Sequence, residues 1–267
     1  MRIVPSYKSG FYAPSRGGVA AHPELWKNCV GAWSPALGPT GSTLFDQGAY
    51  KNHGTLTNMD PATDWVVEGG VGALDFDGTT NYISSANSVT GYPLTLMAWV
   101  TPDTPFSQSL VSVGTNATEN HQHRILIRNP GQVRAQSQDT AAGNATSASF
   151  IIVAGTRYCV VGLFGSAVSR SIWLDGVMVA SDTTSATPAG MDQNRFGYQQ
   201  VGGQPLDGRL SEVRIYNRVL TTNEINTLSL RPNIAYETRR RRVYSGAAAP
   251  AGASIPVLMN SYRQRVS

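Results

Sequence analysis

Residues 171–181 read SIWLDGVMVAS, an Asp-Gly pair between two short apolar runs. Both positions of a tight two-residue hairpin turn need a positive φ angle, which Gly adopts freely and Asp tolerates. The flanking residues are apolar, β-branched or aromatic, as strands prefer. This stretch therefore predicts a β-hairpin with Asp175 and Gly176 at its tip.

On both sides of this hairpin the chain consists of short β-prone runs separated by turn residues. Many short strands with regular punctuation are typical of a β-sandwich or barrel. We predict strands at residues 29–34, 53–58, 73–76, 82–85, 94–101, 109–114, 124–128, 132–137, 147–153, 156–164, 171–174, 177–181, 194–198 and 208–216.

One short helix interrupts this pattern near the end of the β-rich region. Thr221 and Glu224 are spaced as the N-cap and N3 residues of a capping box. Leu220 and Ile225 could form the accompanying hydrophobic staple, and Pro232 prevents further extension. The sequence thus predicts an all-β domain with one short C-terminal helix.

The composition agrees with a globular β domain. The 267 residues are 41% apolar and 14% charged, and 27 of them are glycine. A disordered chain would carry fewer apolar residues, and a helical bundle would carry more charge. Cys29 and Cys159 lie in apolar runs, which indicates buried thiols, although a single bridge between them stays open.

The two ends of the chain differ from the middle. Residues 1–28 contain scattered Pro and Gly without a sustained period, and residues 231–267 contain seven Arg and one acid. We predict an N-terminal arm at 1–28, a sandwich at 29–230 and a basic C-terminal arm at 231–267. Either the C-terminal arm is a solvated tail, or it docks on a partner through Arg239, Arg240, Arg241, Arg242, Ile255, Val257, Leu258 and Met259.

Neither a secretory signal nor a stretch of transmembrane length is recognisable, so we expect synthesis in the cytoplasm without membrane insertion. Nucleic-acid binding is not expected. Four consecutive arginines without interleaved aromatic residues are too unspecific to predict it.

Five segments in order resemble the laminin-G-like, concanavalin A-like superfamily. They are GAWSPALGPTGSTLFDQGAYKNHGTLTN (31–58), ALDFDGTTNYI (73–83), LTLMAWVTP (94–102), SIWLDGVMVAS (171–181) and LDGRLSEVRIYNRVLTTNEINTL (206–228). The resemblance implies a jelly-roll sandwich of two antiparallel sheets over about residues 29–229.

The ends carry a second resemblance. MRIVPSYKSGFYAP (1–14) and LRPNIAYETRRRRVYS (230–245) are similar to the ends of laminin-G-like proteins of tailed bacteriophages. This resemblance implies a virion surface protein: a capsid decoration, a fibre or a tail-associated subunit. It would assemble in the host cytoplasm, form a homo-oligomer, and contact other virion proteins through its arms and cell-surface glycans through its sandwich. A free-standing lectin-like module is the alternative.

The same family resemblance implies a structural calcium ion. The segment from Asp46 to Asn52 is similar to a family loop that holds calcium, and Glu212 takes the position of a second contribution. One acid of the usual pair is missing, because Ser211 precedes Glu212. The alternative is a hydrogen-bonded loop in which Asp46 caps backbone amides and Glu212 pairs with an arginine.

A glycan-binding site needs an aromatic surface for the CH groups of a sugar and polar side chains for its hydroxyls. One segment offers both, with candidate residues Asn194, Arg195, Phe196, Tyr198 and Gln199. Packing of these aromatic rings into the core is the competing interpretation.

The sequence gives little support for catalysis. Glycoside hydrolysis needs two carboxylates flanking one bond. The nearest candidates, Asp75 and Asp77, are two residues apart, but Asp77 belongs to a predicted turn and no Glu accompanies them. His121 and His123 lack the third ligand that a zinc site requires. We therefore predict a non-catalytic protein and rank the hydrolase last.

Overall fold

The computed structural model describes residues 20–238, except Ser88, Thr118, Glu119, Thr140, Ala141, Val201 and Pro232. Sixteen strands are present in this part of the chain: β1 (Cys29–Trp33), β2 (Thr43–Leu44), β3 (Gly54–Thr57), β4 (Trp65–Glu68), β5 (Val71–Asp77), β6 (Tyr82–Ala86), β7 (Leu94–Pro102), β8 (Gln108–Gly114), β9 (Gln122–Arg128), β10 (Gln132–Gln138), β11 (Ala142–Thr146), β12 (Tyr158–Ser166), β13 (Ser169–Leu174), β14 (Val177–Asp182), β15 (Gln193–Phe196) and β16 (Asp207–Tyr216). One α-helix, α1 (Thr222–Leu230), and three 3-10 helices at Pro23–Trp26, Pro35–Leu37 and Ile234–Tyr236 complete the described elements.

The strands form two eight-stranded sheets. Sheet 1 has the order β14-β13-β12-β7-β16-β5-β4, with β1 also paired to β16. Sheet 2 has the order β11-β10-β9-β8-β15-β6-β3-β2. Every strand pairing described is antiparallel. The predicted two-sheet antiparallel jelly roll is confirmed.

The β13–β14 hairpin forms as its sequence predicts. Asp175 and Gly176 both have positive φ angles, 48° and 86°. The Asp175 carboxylate accepts a hydrogen bond of 2.7 Å from the backbone N–H of Cys159 on β12. The turn is therefore anchored to the neighbouring strand of sheet 1.

The main core lies between the two sheets and is built from alternate residues of each strand. At its centre the rings of Trp33 and Phe196 pack with centroids 4.7 Å apart. These two residues come from opposite sheets, so their contact joins the layers. Other fully buried core residues include Leu74, Ile83, Leu94, Leu96, Leu110 and Phe164.

A second apolar cluster covers the outer face of sheet 1. Leu25 and Trp26 of the first 3-10 helix, Ile225 and Leu228 of α1, and Ile234 of the last 3-10 helix are all buried against it. Residues 20–28 and the described residues of 231–238, assigned to the arms in the sequence prediction, thus pack on the sandwich. The packed unit is larger on both sides than the predicted 29–230.

Helix α1 confirms the predicted capping box. Thr221 Oγ1 accepts a hydrogen bond from the Glu224 N–H at 3.3 Å, and the Glu224 carboxylate accepts one from the Thr221 N–H at 2.8 Å. Because Ile225 and Leu228 point into the cluster on sheet 1, the helix is stabilised mainly by this packing.

The strand predicted at residues 147–153 is wrong. This segment folds back over the β9–β10 turn, where the N–H groups of Ile151 and Ile152 donate to the Gly131 carbonyl at 3.0 and 3.1 Å. The actual edge strand, β11, has the sequence AGNAT. It lacks a β-prone pattern and exists because it pairs with β10.

The described chain enters and leaves the domain at one place. Ala20 and Thr238 form an antiparallel bridge, and the Ala21 N–H donates to the Glu237 carbonyl at 2.7 Å. The predicted docking residues Arg239, Arg240, Arg241, Arg242, Ile255, Val257, Leu258 and Met259 lie outside the described residues. Within the described residues, no helix is long and apolar enough to cross a bilayer.

Candidate functional site

The outer face of sheet 2 carries a row of polar side chains that crosses seven strands. Directly opposed residues of adjacent antiparallel strands point to the same face, and the pairings connect this row from β11 to β3. With strands about 4.8 Å apart, the row is about 29 Å long. Its members, in spatial order, are Asn144, Gln136, Arg124, Ser112, Arg195, Ser84 and Thr55.

The loop that follows β15 folds over the middle of this row. The side-chain amide of Gln200 donates to the carbonyl and hydroxyl oxygens of Ser112 at 3.2 and 3.1 Å. The Arg124 guanidinium donates to Gln199 and, at 3.1 Å, to Gln204 Oε1. The loop therefore buries the centre of the row and leaves its two ends accessible.

Two tyrosines and an arginine form a stack beside the loop. The Arg195 guanidinium lies 5.0 Å from the ring centroid of Tyr82. The Tyr82 and Tyr198 rings have centroids 5.6 Å apart. Arg195 is held in place by hydrogen bonds to Gln193 Oε1 at 3.0 Å and Asn116 Oδ1 at 2.7 Å. All three stacked side chains are partly exposed.

A shallow polar groove of about 240 Å³ lies across β3, β6 and β15 on the same face. Its walls present hydroxyl, amide, imidazole and carboxylate groups, which can donate to and accept from the hydroxyls of a ligand. The lining residues are His53, Thr55, Ser84, Ser85, Ala86, Asp192 and Gln193.

The structure places the five predicted glycan-binding residues on two different faces. Arg195 lies on the outer face of β15, and Tyr198 and Gln199 lie in the covering loop. Asn194 and Phe196 point inward and are 2% and 0% exposed. Gln199 is also buried, with 4% of its surface exposed. Because none of these three side chains reaches solvent, direct contact of Asn194, Phe196 or Gln199 with a sugar does not fit this structure.

Tyr82 was missed in the sequence prediction. In β6, YISSA, the buried Ile83 places Tyr82 and Ser84 on the opposite, outer face. Strand alternation could therefore have located Tyr82.

Asp46, predicted as a calcium ligand, organises a loop through backbone hydrogen bonds. Its carboxylate accepts from the N–H groups of Ala32 at 2.9 Å, Gly48 at 2.7 Å and Asn52 at 3.0 Å. Burial raises the pKa of Asp46, although these three hydrogen bonds oppose the increase. The Asn52 carbonyl accepts from the indole N–H of Trp33 at 2.8 Å.

Glu212, the third predicted ligand, is paired with an arginine. Its carboxylate accepts from Arg214 Nε and, at 2.7 Å, from the Asn233 N–H. The Arg214 side chain is itself enclosed by the rings of Trp26 and Tyr236, each 4.7 Å away. The oxygens of Asp46 and Glu212 thus already have protein partners, and the described residues present no assembled oxygen cage. Calcium binding stays a prediction.

The two carboxylates considered for catalysis, Asp77 and Asp75, differ in their surroundings. Asp77 Oδ1 accepts from the N–H groups of Thr79, Thr80 and Asn81 at 2.9, 2.9 and 3.0 Å. Burial alone would raise the pKa of Asp77, but these bonds and that from the Thr79 hydroxyl hold it well below its usual range. Burial raises the pKa of Asp75.

The two histidines considered for a metal are separated by burial. His123 is fully buried, and its Nδ1 lies 2.9 Å from Ser137 Oγ. His121 is partly exposed in the preceding loop. Among the described residues, no three His, Cys, Asp or Glu side chains are grouped as a metal site would require. Cys29 and Cys159 are both buried and unbridged.

Comparison with known families supplies the classification. A family model described as the concanavalin A-like lectin/glucanases superfamily (Laminin_G_3) matches residues 77–226. The chain belongs to this superfamily. No curated protein matches the chain significantly.

Solved structures share the fold of this superfamily member at low sequence identity. Domain 4 of an extracellular arabinanase from Geobacillus stearothermophilus, in complex with arabinotriose, matches with a TM-score of 0.60 and 17% identity over 76% of this chain and 98% of that domain. The binding domain of Paraclostridial Mosquitocidal Protein 1 has a TM-score of 0.59 and 13% identity over 77% of this chain.

A Trypanosoma rangeli sialidase mutant displaying trans-sialidase activity gives a TM-score of 0.59 and 20% identity over 82% of this chain. This chain corresponds to 52% of the mosquitocidal binding domain and 35% of the sialidase. These likenesses establish the shared fold.

Proposed function

We propose that this protein is a non-catalytic carbohydrate-binding domain whose ligand lies on the outer face of sheet 2. The observation that carries the proposal is the stack of Tyr82, Tyr198 and Arg195 beside the polar groove. Aromatic faces pack against the CH groups of sugars, and hydroxyl and amide side chains bind sugar hydroxyls. Both elements occur here within one accessible surface.

Two further facts support a glycan ligand. The superfamily to which the chain belongs is described by its lectins and glucanases. One structural neighbour was solved with arabinotriose and another with sialic acid. An oligosaccharide also suits the surface, because the groove at one end of the row and the tyrosine stack beside it can contact neighbouring sugar units.

The position of the carboxylates supports a binding role rather than hydrolysis. A retaining glycosidase needs two carboxyl groups about 5–5.5 Å apart at the scissile bond. The strands of sheet 2 contain no Asp or Glu. Asp192 is the one carboxylate that lines the described groove. A single carboxylate cannot supply both catalytic roles.

A glycan array probed with the full chain tests this function. We expect saturable binding that Tyr198→Ala or Tyr82→Ala weakens about tenfold, because each change removes an aromatic ring from the sugar contact. Phe106→Ala is the matched control, since Phe106 is an aromatic residue 58% exposed in the β7–β8 loop. Repeating the array with EDTA shows whether glycan binding depends on calcium.

Two results would contradict the proposal. Release of new reducing ends from a bound glycan would establish hydrolysis. Absence of binding to any glycan on the array, with the variants and the wild type equally folded, would exclude the carbohydrate role.

We also propose that the protein is displayed on the surface of a bacteriophage particle. The bridge between Ala20 and Thr238 brings the two flanking segments to one place. The adjoining 3-10 helices lie on the outer face of sheet 1, opposite the polar row of sheet 2. Flanking segments attached there can anchor the domain to neighbouring virion subunits while the glycan-binding face points outward.

Electron microscopy of purified native particles tests this second proposal. We expect density for the sandwich on a capsid or tail, with sheet 1 toward the particle and copies of the chain in contact with each other. Particles that lack the chain by mass spectrometry would contradict it.

A further inference from the structure

The two sheets of the sandwich differ in charge. The strands of sheet 2 contain four arginines and no acidic residue, namely Arg124, Arg128, Arg134 and Arg195. The strands of sheet 1 contain six acids and three arginines: Glu68, Asp75, Asp77, Asp182, Asp207 and Glu212, with Arg170, Arg209 and Arg214. Positive charge is therefore concentrated on the sheet that carries the polar row.

The β9–β10 hairpin contributes most of this charge to the outer face. Its inward residues, such as Ile125, Ile127 and Val133, belong to the core, so the alternate residues point outward. Seven of these eight outward residues are Gln or Arg: Gln122, Arg124, Arg128, Gln132, Arg134, Gln136 and Gln138, with Leu126 as the exception.

The arginines of the two sheets also differ in their partners. All three strand arginines of sheet 1 are in ion pairs, Arg170 with Asp182, Arg209 with Glu68 and Asp103, and Arg214 with Glu212. Within the described part of the chain, Arg128, Arg134 and Arg195 form no ion pair.

The positive charges of Arg134 and Arg128 repel each other. Burial of Arg134 and the positive charge of Arg128 both lower the pKa of Arg134. The Arg134 Nε donates to the Thr146 hydroxyl at 2.8 Å, a neutral acceptor. An anion placed between these two guanidinium groups would relieve the repulsion and gain charge-assisted hydrogen bonds.

Carboxylates in the adjoining loops are already engaged. Asp139, which follows β10, accepts from the Thr187 N–H at 2.5 Å. Asp192, which precedes β15, accepts from the Asn116 N–H at 3.0 Å. These two carboxylates therefore accept hydrogen bonds from backbone N–H groups of the loops that border sheet 2.

Resting on the carbohydrate-binding function proposed above, we propose that the ligand is an acidic polysaccharide. Its carboxylate or sulfate groups bind Arg128, Arg134 and Arg195, and its hydroxyls bind Gln132 and Gln138, the partly exposed glutamines of the β9–β10 hairpin. Arg128 and Arg134 project from the β9–β10 hairpin, and Arg195 projects from β15, which is separated from β9 by β8. A polymer with repeated acidic groups can reach both places, so it fits better than a single acidic sugar. The described part of the hairpin has no outward aromatic residue on which bases could stack, which disfavours a nucleic acid.

Titration of the full chain with paired polysaccharides tests this proposal. The probes are polygalacturonate for carboxylates and dextran sulfate for sulfates, with methyl-esterified polygalacturonate and dextran as uncharged partners. We expect at least one acidic polymer to bind about tenfold more tightly than its uncharged partner, with affinity that falls as NaCl is raised. Comparison of the two acidic polymers identifies the preferred group.

Single substitutions locate the contact. Arg134→Gln and Arg128→Gln should each weaken binding of the acidic polymer about 3- to 10-fold, because a neutral amide replaces a charge-assisted donor. Arg231→Gln is the matched control: it makes the same charge change at an exposed residue paired with Glu237, near the end of α1. Circular dichroism confirms that each variant is folded.

The outcomes separate this inference from the function on which it rests. Equal affinity for acidic and uncharged polymers, with Tyr198→Ala still weakening both, would overturn the acidic preference and keep the glycan-binding function. Tighter binding of single-stranded DNA than of any polysaccharide, or acidic binding unaffected by both arginine variants, would also overturn it. Binding of no polysaccharide would overturn both proposals.

Discussion

Single residues of sheet 2 show how alternation decides access to the candidate site. Asn194, Arg195 and Phe196 are consecutive in β15, so their side chains point alternately to opposite faces. Phe196 packs against Trp33, and Arg195 stacks on Tyr82. Composition alone suggested that all three could bind a glycan. Because of the strand pleat, Arg195 is the one residue of these three that can contact a glycan.

His123 provides the residue-scale prediction, because it is a neutral imidazole enclosed between the sheets. Its ring packs between Tyr92 and Phe164, with centroids 4.8 and 5.0 Å away. Burial, and secondarily the positive charge of Arg170, lower the pKa of His123 to about 3. Arg170, from β13, is itself paired with Asp182 of β14.

A histidine with a lowered pKa destabilises the fold in acid, because the unfolded chain takes up a proton that the native state excludes. The free energy of unfolding begins to decrease as the pH falls below about 6.5, the pKa of histidine in the unfolded chain, and it decreases further until about pH 3. Between pH 7 and pH 5 we expect a loss of about 2 kcal/mol from this group, measured by urea unfolding. His123→Gln should flatten the profile. If the His22→Gln control flattened the dependence of unfolding free energy on pH equally, His123 would not be the source of that dependence.

At the scale of elements, helix α1 depends on an N-terminal capping box that the sequence predicts. The capping box of Thr221 and Glu224 is reinforced by Arg218, whose guanidinium donates to both Glu224 carboxylate oxygens at 2.7 and 2.8 Å. Burial would raise the pKa of Glu224, but the Arg218 bond and the bonds from Thr221 lower it. The helix start is therefore both hydrogen-bonded and charge-compensated.

Thr221→Ala should lower the free energy of unfolding by about 1 kcal/mol, because it removes the acceptor for the Glu224 N–H. Thr222→Ala is the matched control. Thr222 is exposed and begins the helix without serving as its cap, so we expect little change. Chemical denaturation of the three chains measures the difference, and equal losses in both variants would show that the cap contributes nothing specific.

At the scale of the whole molecule, the apolar cluster on the outer face of sheet 1 adds residues outside the predicted sandwich (29–230) to the packed domain. Leu25, Trp26 and Ile234 are buried there, and each contributes about 1.5–3 kcal/mol by burial. A chain truncated to residues 29–230 should therefore unfold at clearly lower urea concentration than one spanning 20–238. Equal midpoints for the two chains would show that the added segments do not stabilise the sandwich.

Local signals in the sequence determined the β-class, the Asp175-Gly176 hairpin, the capping box of α1 and most strands, because each depends on residues close together in the chain. Other features were beyond its reach, and three of the sixteen described strands, β2, β4 and β11, were not predicted. The edge strand β11 exists through its partner β10, and the 20–28 and 231–238 segments pack through contacts more than two hundred residues apart, such as Trp26 Nε1 to the Ala235 carbonyl at 2.9 Å.

Tertiary structure brought the residues of the candidate site together. Thr55, Ser84, Arg124 and Arg195 are scattered over four strands, and only the registers of sheet 2 bring them into one row. The charge difference between the sheets has the same origin, because strand order assigns each arginine to a layer. Periodicity tells which residues of a strand share a face, whereas pairing between distant strands determines which faces become neighbours.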